Sequence, residues 1–144
     1  GIAELTVYLP KSVTLLTVSN NDGDIDIDGV NLNMLTINSV SGDIDLSDIT
    51  AERGKIKSSA GETEISETAV FTKMLEVNQS FGDIEIDVPR DPDRIKFIIS
   101  SETPLDEKTM CDSYLLSLAR STDGKAEYSV NVKNGELSVK NSDD

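Results

Sequence analysis

The chain has 144 residues with 27 acidic and 13 basic side chains, which gives a formal net charge of −14 at neutral pH. It contains no histidine and a single cysteine, which excludes a Ser-His-Asp or Cys-His nucleophile, a histidine-ligated metal, an internal disulfide and a cysteine zinc cluster. The negative charge opposes binding to nucleic acid and to anionic lipid headgroups, and since no apolar run has membrane-spanning length we expect no direct membrane insertion of this segment.

The N-terminal residues predict the start of a β domain. Residues 5–10, Leu-Thr-Val-Tyr-Leu-Pro, are rich in strand-forming side chains and end at a proline, which predicts an opening edge strand. Gly1 precedes this strand without a methionine or a signal peptide, as after removal of a tag. We therefore expect the native protein to carry an upstream secretion or membrane segment that is absent from this chain.

A short glycine motif repeats along the chain. Each copy has a glycine, an acidic residue, an apolar residue and a second apolar residue two positions later, except that Thr63 takes the first apolar place in the third copy. The repeats are centred on Gly23, Gly42, Gly61, Gly82 and, more loosely, Gly135, with spacings of 19, 19, 21 and 53 residues. Apolar residues two apart on both sides of each glycine predict two strands joined by a tight turn.

Stacking of these units predicts the fold. A unit of about 20 residues with two short strands cannot bury its apolar side alone, whereas stacked units bury a continuous core. The predicted interior columns are Ile25, Ile44, Thr63 and Ile84; Ile27, Leu46, Ile65 and Ile86; and Val18, Ile37, Ile56 and Val77. We predict an all-β fold, a single-domain β-solenoid over residues 1–144; an antiparallel β-sandwich of hairpins is the alternative.

The C-terminal third departs from the repeat. Residues 95–100 predict a further strand, but residues 101–123 form an irregular excursion that we expect to cover one end of the stack. Residues 127–132 and 135–139 then predict a last pair of strands that closes the domain. Phe81 stands where the other copies have a small or polar residue before the glycine, and we expect it to pack beneath the excursion.

The motifs resemble a known bacterial family. The Leu9-Pro10-Lys11 opening, the repeated Ser-Gly-Asp-Ile units and the terminal Asn-Gly-Glu-Leu strand resemble the adhesin-like family of toastrack-type β-solenoid domains over about residues 5–139. This resemblance implies a non-enzymatic interaction module of the bacterial cell envelope, an adhesin that binds a protein or cell-surface macromolecule through a solenoid face or end strand. The alternative it implies is an ectodomain or regulatory element of an envelope-stress signalling system.

The resemblance also bears on location and on catalytic residues. It implies a cell-surface or extracellular location, reached through the upstream segment. The family has no agreed catalytic residues, so none is carried over, and its motif leaves the oligomeric state open.

An acidic ladder is the most visible candidate site. The residues that alternate with two interior columns are Asp24, Asp43, Glu62 and Asp83 in one row and Asp26, Asp45, Glu64 and Glu85 in the other. In a stack both rows point outward on one face, where like charges repel by about 1 kcal/mol per solvated pair. We expect a solvated acidic face without a cofactor; Ca²⁺ bound along the ladder is the alternative.

The remaining charged residues predict no enzyme. Carboxylate pairs are abundant, but there are only three tyrosines and three phenylalanines to form a sugar-binding platform. Lys55, Lys57 and Lys73 are expected to neutralise nearby carboxylates. We therefore predict no catalytic residue.

Overall fold

A computed structural model describes residues 13–88, 95–101, 109–111 and 126–141 of the chain. The predicted opening strand over residues 5–10 lies outside these residues, as does most of the excursion. The described residues contain no helix and form the strands β1 (Leu15–Asn20), β2 (Ile25–Ser41), β3 (Ile44–Ala60), β4 (Thr63–Ile65), β5 (Ala69–Phe81), β6 (Ile84–Val88), β7 (Ile95–Ser101), β8 (Thr109–Cys111), β9 (Ala126–Asn134) and β10 (Leu137–Asn141).

Every strand pairing among the described residues is parallel. Strand β2 pairs with β3 along its length in a register of 19 residues, so that Ile25 lies beside Ile44 and Ile37 beside Ile56. The chain therefore advances by one glycine repeat per coil, and the strands stack into a β-solenoid of about 4 turns. The predicted solenoid is confirmed; the sandwich alternative is wrong, because its hairpins require antiparallel neighbours.

We name the coils by the glycine that starts each one. The first coil starts at Gly23, the second at Gly42, the third at Gly61 and the fourth at Gly82. All ten described strands belong to one continuous sheet that coils around the solenoid. The strand segments that follow the glycines stack on one another, and the segments that precede the glycines stack on one another in the same way. We call these two stacks of segments the two sheets of the solenoid.

The three predicted interior columns are confirmed by the register. The first column lies just after the turn and gains a fifth member, Leu137 of β10. The column that contains Ile37 continues through Ile56 and Val77 to Val130 of β9. All four of these side chains are fully shielded from solvent. Period-2 alternation at a fixed register thus produces a continuous aliphatic core.

The second and third coils each depart once from the sequence pattern, and the structure gives the reason. Gly54 interrupts the leucine column between Leu35 and Leu75 because the ring of Phe71 fills its space: a Cβ on Gly54 would lie 2.4 Å from Phe71 Cε1. Thr63 breaks the isoleucine column because its hydroxyl pairs with the buried Gln79 carbonyl oxygen at 2.6 Å. Each deviation is therefore offset by a neighbouring side chain.

The order of the C-terminal strands corrects one prediction. Strands β9 and β10 do not close the stack: β9 lies between β5 and β7, and β10 lies between β6 and β8. Gly135 consequently stacks directly on Gly82, as Gly42 does on Gly23. This position is favourable because β9 matches the interior of the third coil, with Tyr128 beside Leu75. The described part of the excursion, β8, extends the sheet beyond β10.

A second correction concerns Phe81. Its side chain is 60% exposed on the outside of the coil corner, so the expectation that it packs beneath the excursion is wrong. The corner position explains this exposure, because Phe81 belongs to the column of Ser41 and Ala60, which lies outside the core at the point where the chain turns into the glycine.

Candidate functional site

The outer surface of one sheet carries the predicted acidic ladder. The isoleucines of β2, β3 and β6 point inward after each turn glycine, so the acidic residues between them point outward. All eight predicted carboxylates lie on this surface, joined by Glu136 from the loose fifth repeat. We call these nine residues the acidic face: Asp24, Asp26, Asp43, Asp45, Glu62, Glu64, Asp83, Glu85 and Glu136.

The aspartates of the first row bind the backbone of the neighbouring coil. The N–H of Asp43 donates to Asp24 Oδ1 at 2.9 Å, and the N–H of Glu62 donates to Asp43 Oδ1 at 3.0 Å. The N–H of Glu136 donates in the same way to Asp83 Oδ1 at 2.9 Å. These bonds use a donor that the tight turn leaves outside the strand ladder, so this row fastens one coil to the next.

The second row is arranged differently. Asp26, Asp45, Glu64 and Glu85 lie side by side in parallel register, about 4.8 Å apart from strand to strand. Desolvation, followed by the charges of Asp26 and Asp28, raises the pKa of the Asp45 carboxyl above its ordinary value. Desolvation is likewise the main cause that raises the pKa of Glu64, and the negative charges of Asp45 and then Glu85 raise it further. The charged forms of Asp45 and Glu64 are therefore disfavoured, first by desolvation and then by their like-charged neighbours.

A shallow open depression of about 220 Å³ lies on the acidic face where the third, fourth and last repeats meet. Its lining includes Glu62, Glu64, Asp83, Glu85, Glu136 and the hydroxyl-bearing Ser138. Among the described residues, no three carboxylates or thiols are grouped so that they hold a metal ion. Ca²⁺ binding along the ladder thus stays a prediction, and the depression offers oxygen acceptors to a cationic partner.

The opposite sheet has a different outer surface. Lys73 pairs with Glu52 at 3.1 Å, which confirms its predicted neutralising role. Within the described part of the chain, Lys55 and Lys57 form no ion pair with a carboxylate, so the same prediction is wrong for them. The Glu76 carboxylate, which is in register with Lys55, accepts a hydrogen bond from the Asn78 amide at 3.2 Å instead.

Sequence reasoning located the ladder but missed two of its properties. Glu136 joins the acidic face because β10 inserts beside β6, and the only signal in the sequence is the loose Asn-Gly-Glu-Leu copy of the motif. Sequence reasoning also missed that the first row binds the backbone of the neighbouring coil. The only sign of this role in the sequence is that the backbone-binding positions are aspartates in three of the four main repeats.

These features define a class of protein: a parallel β-solenoid of glycine-turn repeats whose outer sheet face is acidic. The profile of the Toastrack DUF4097 family matches residues 10–140, and the chain belongs to this family. The toastrack β-solenoid is a non-catalytic kind of module. No curated protein and no solved structure matches the chain significantly. None of the described residues belongs to a helix with the length and hydropathy needed to cross a bilayer.

Proposed function

We propose that this chain is a non-enzymatic interaction module of the bacterial cell envelope, an adhesin whose acidic face binds a cationic surface of a protein partner. One observation carries the proposal: the second acidic row, with Asp45 and Glu64 at its centre, is held at fixed spacing although its charges repel one another. A surface whose central charges cost stability is a candidate for a role outside the fold.

The geometry favours a protein ligand with several cations. The rows form a rigid grid with about 4.8 Å between strands and about 7 Å between alternate residues of one strand. Because the grid is fixed by the solenoid, binding loses little conformational entropy, and Lys or Arg side chains of a partner relieve the repulsion between carboxylates. Electrostatic attraction of this kind raises association rates and weakens with salt.

The proposed location is the cell surface or the extracellular space, reached through an upstream segment outside this chain. The resemblance to envelope proteins supports it. Protease shaving of intact cells that express the full-length protein tests it: peptides from residues 5–139 should be released before lysis, and protection until lysis would contradict a surface adhesin.

Site-specific photocrosslinking tests the binding face. In the full-length protein, a benzophenone side chain at Asp45 should crosslink to a protein other than a second copy of this chain, whereas the same group at Ser59, on the outer surface of the other sheet, should not. Adding E64Q and D26N should remove the Asp45 crosslink because it removes the neighbouring charges. Equal crosslinking at Asp45 and Ser59, or none at Asp45, would contradict the proposal.

The identity of the crosslinked protein separates the adhesin from the regulatory alternative. An adhesin should capture a protein on another cell or surface. An envelope-stress element should capture a membrane protein of the same cell, and the crosslink should then change with envelope stress.

A further inference from the structure

A basic stripe crosses the outer surface of the second sheet. Arg53, Lys55 and Lys57 alternate along β3 with buried residues, and all three side chains are exposed. Among the residues with described side chains, none of the three forms an ion pair, and the Glu76 carboxylate beside Lys55 is engaged by Asn78. In a chain of net charge −14, three neighbouring unpaired cations on one strand are an unexplained concentration of positive charge.

The surroundings of the basic stripe are uncharged side chains and one carboxylate, that of Glu76. On one side it is flanked by Met34, Thr36 and Asn38 of β2, and on the other by Met74, Glu76 and Asn78 of β5. The two methionines lie beside Arg53 and the two asparagines beside Lys57. The stripe therefore offers an ordered row of cations with hydrogen-bonding amides at one end and apolar thioethers at the other.

The same chain carries the matching arrangement with the opposite sign. Asp24, Asp26 and Asp28 are exposed and alternate along the start of β2, on the outer surface of the other sheet. Both triplets occupy every second position of an extended strand, so both have a pitch of about 7 Å. Because both belong to sheets of one solenoid, their twist also agrees, which lets three charge pairs form at once.

We propose that the basic stripe docks the acidic face of a second copy of this chain, with Arg53, Lys55 and Lys57 opposite Asp24, Asp26 and Asp28. The two surfaces lie on opposite sheets, so the contact is heterologous and each docked copy leaves one of each surface available. Successive contacts of this kind build a filament, or a ring if the rotation between copies closes. This inference does not rest on the proposed function, since it requires only the purified chain.

The size of the surface sets the strength of the contact. This alignment sets the second coil of one copy opposite the first coil of the other, so four strands overlap; at about 4.8 Å apart and about seven residues long they give a face of roughly 440 Å². Two such faces bury roughly 900 Å², below the usual size of specific interfaces. The charge pairs at the centre of the contact fix the alignment of the two copies more than they add to the affinity, so the association is weak and reversible.

Net charge predicts an unusual salt dependence. At about 0.01 M salt the screening length is about 30 Å, and the negative charge of each copy repels the other as a whole. At about 0.15 M it is about 8 Å, which suppresses that repulsion but leaves the facing side chains in contact. At about 1 M it is about 3 Å, and the charge pairs themselves weaken. Association should therefore be strongest at intermediate salt.

Sedimentation of the purified chain tests the inference, with circular dichroism as the check on folding. The wild-type chain should show a mass that rises with concentration at about 0.15 M salt. K55Q/K57Q and D26N/D28N should each remain monomeric. An equimolar mixture of the two variants should form a dimer and nothing larger, because only one intact surface of each kind is present.

Two results would overturn the inference. The first is a wild-type chain that stays monomeric at every concentration and every salt concentration. If this monomer binds poly-L-glutamate and the K55Q/K57Q variant does not, the inference is still overturned, and the basic stripe is assigned to a different acidic protein. The second is a mixture of folded variants that fails to form dimers while the wild-type chain associates, since the association would then use other surfaces.

Discussion

The two rows of the acidic face look alike in sequence and act oppositely in the structure. In the first row, Asp24, Asp43 and Asp83 each accept a backbone N–H from the neighbouring coil and so stabilise the stack. In the second row, desolvation first and neighbouring like charges second raise the pKa values of Asp45 and Glu64. The three aspartates of the first row therefore serve the fold, whereas the charges of Asp45 and Glu64 weaken it.

This difference shows that two similar acidic rows of one repeat protein contribute differently to its stability. The interior columns and the first acidic row fix the spacing of the strands, and the second row inherits that spacing without contributing to it. Substitutions that remove a charge should thus have opposite signs in the two rows. Both rows depend on the stacking of the coils beneath them, so substitutions that disturb this stacking should have larger effects on stability than the removal of a charge.

The largest effect is expected from Gly82→Ala, which disturbs the stacking that holds both rows. Gly82 has φ +108°, and an added Cβ would lie 1.9 Å from the carbonyl oxygen of Gly61. Because the clash is with backbone, we expect a loss of about 3 kcal/mol or more in the free energy of unfolding, measured by urea denaturation.

Gly29→Ala is the matched control. Gly29 also has a positive φ, +77°, but the atom nearest to a new Cβ would be Asp48 Oδ2 at 3.7 Å. Only the backbone conformation is then penalised, at about 1–2 kcal/mol. Equal losses in the two variants would show that φ, and not the close approach of the coils, governs the turns.

The next effect separates the rows directly. Asp43→Ala removes the acceptor of the Glu62 N–H, and we expect it to lower the free energy of unfolding by about 1 kcal/mol. Asp43→Asn keeps a carbonyl oxygen and should lose less. Asp45→Ala, two residues along the same strand, should be neutral or stabilising. If both alanine variants lose the same stability in urea, the assignment of distinct roles is wrong.

A smaller effect concerns pH. The folded-state pKa values of Asp45 and Glu64 lie above their ordinary 3.8 and 4.5, so in this range the folded chain binds more protons than the unfolded chain. Stability from these groups therefore falls as pH rises through the raised values and recovers on acidification. Thermal unfolding at pH 4.5, the ordinary pKa of Glu64, and at about pH 7 should show that these two groups contribute more to Tm at the lower pH.

The double variant D45N/E64Q isolates this contribution. It should be more stable than the wild type at neutral pH by about 0.2–1 kcal/mol, the usual cost of like charges on neighbouring strands. Its Tm should also depend less on pH between these two conditions. An unchanged pH dependence would mean that other groups produce the effect.

Much of this architecture is readable from the sequence, for a physical reason. Strand alternation has period 2 and the glycines recur at nearly constant spacing, so the inward residues of successive coils, such as Ile25 and Ile44, must align once the units stack. The same pattern turns the acids between them outward. Local periodicity therefore fixed both the core columns and the surface on which the ladder lies.

The remaining features depend on information that local periodicity does not contain. The insertion of β9 and β10 is set by non-local matching of Gly135 to Gly82 across 53 residues, and alternation says nothing about the order of strands distant in sequence. Register likewise placed Glu76 beside Lys55, but the direction of its side chain follows from the competing amide of Asn78.

The smallest effect tests the first row at its one irregular position. Glu62 occupies an aspartate place, and its longer side chain accepts no hydrogen bond from the N–H of Asp83, although the equivalent bonds are present on Asp24, Asp43 and Asp83. Glu62→Asp shortens the side chain by one methylene and should create that bond, with a gain of about 0.5 kcal/mol in the free energy of unfolding.

The reciprocal variant makes this small effect decisive. Asp43→Glu should lose the bond to the Glu62 N–H and reduce stability by a similar amount, because the position requires the shorter acid. Amide hydrogen exchange reads each bond individually: exchange at Asp83 should slow in the first variant, and exchange at Glu62 should quicken in the second. Were exchange at Asp83 unaltered by Glu62→Asp, side-chain length would not be what distinguishes the acids of this row. The repeat's preference for aspartate would then need an origin other than the bond between coils.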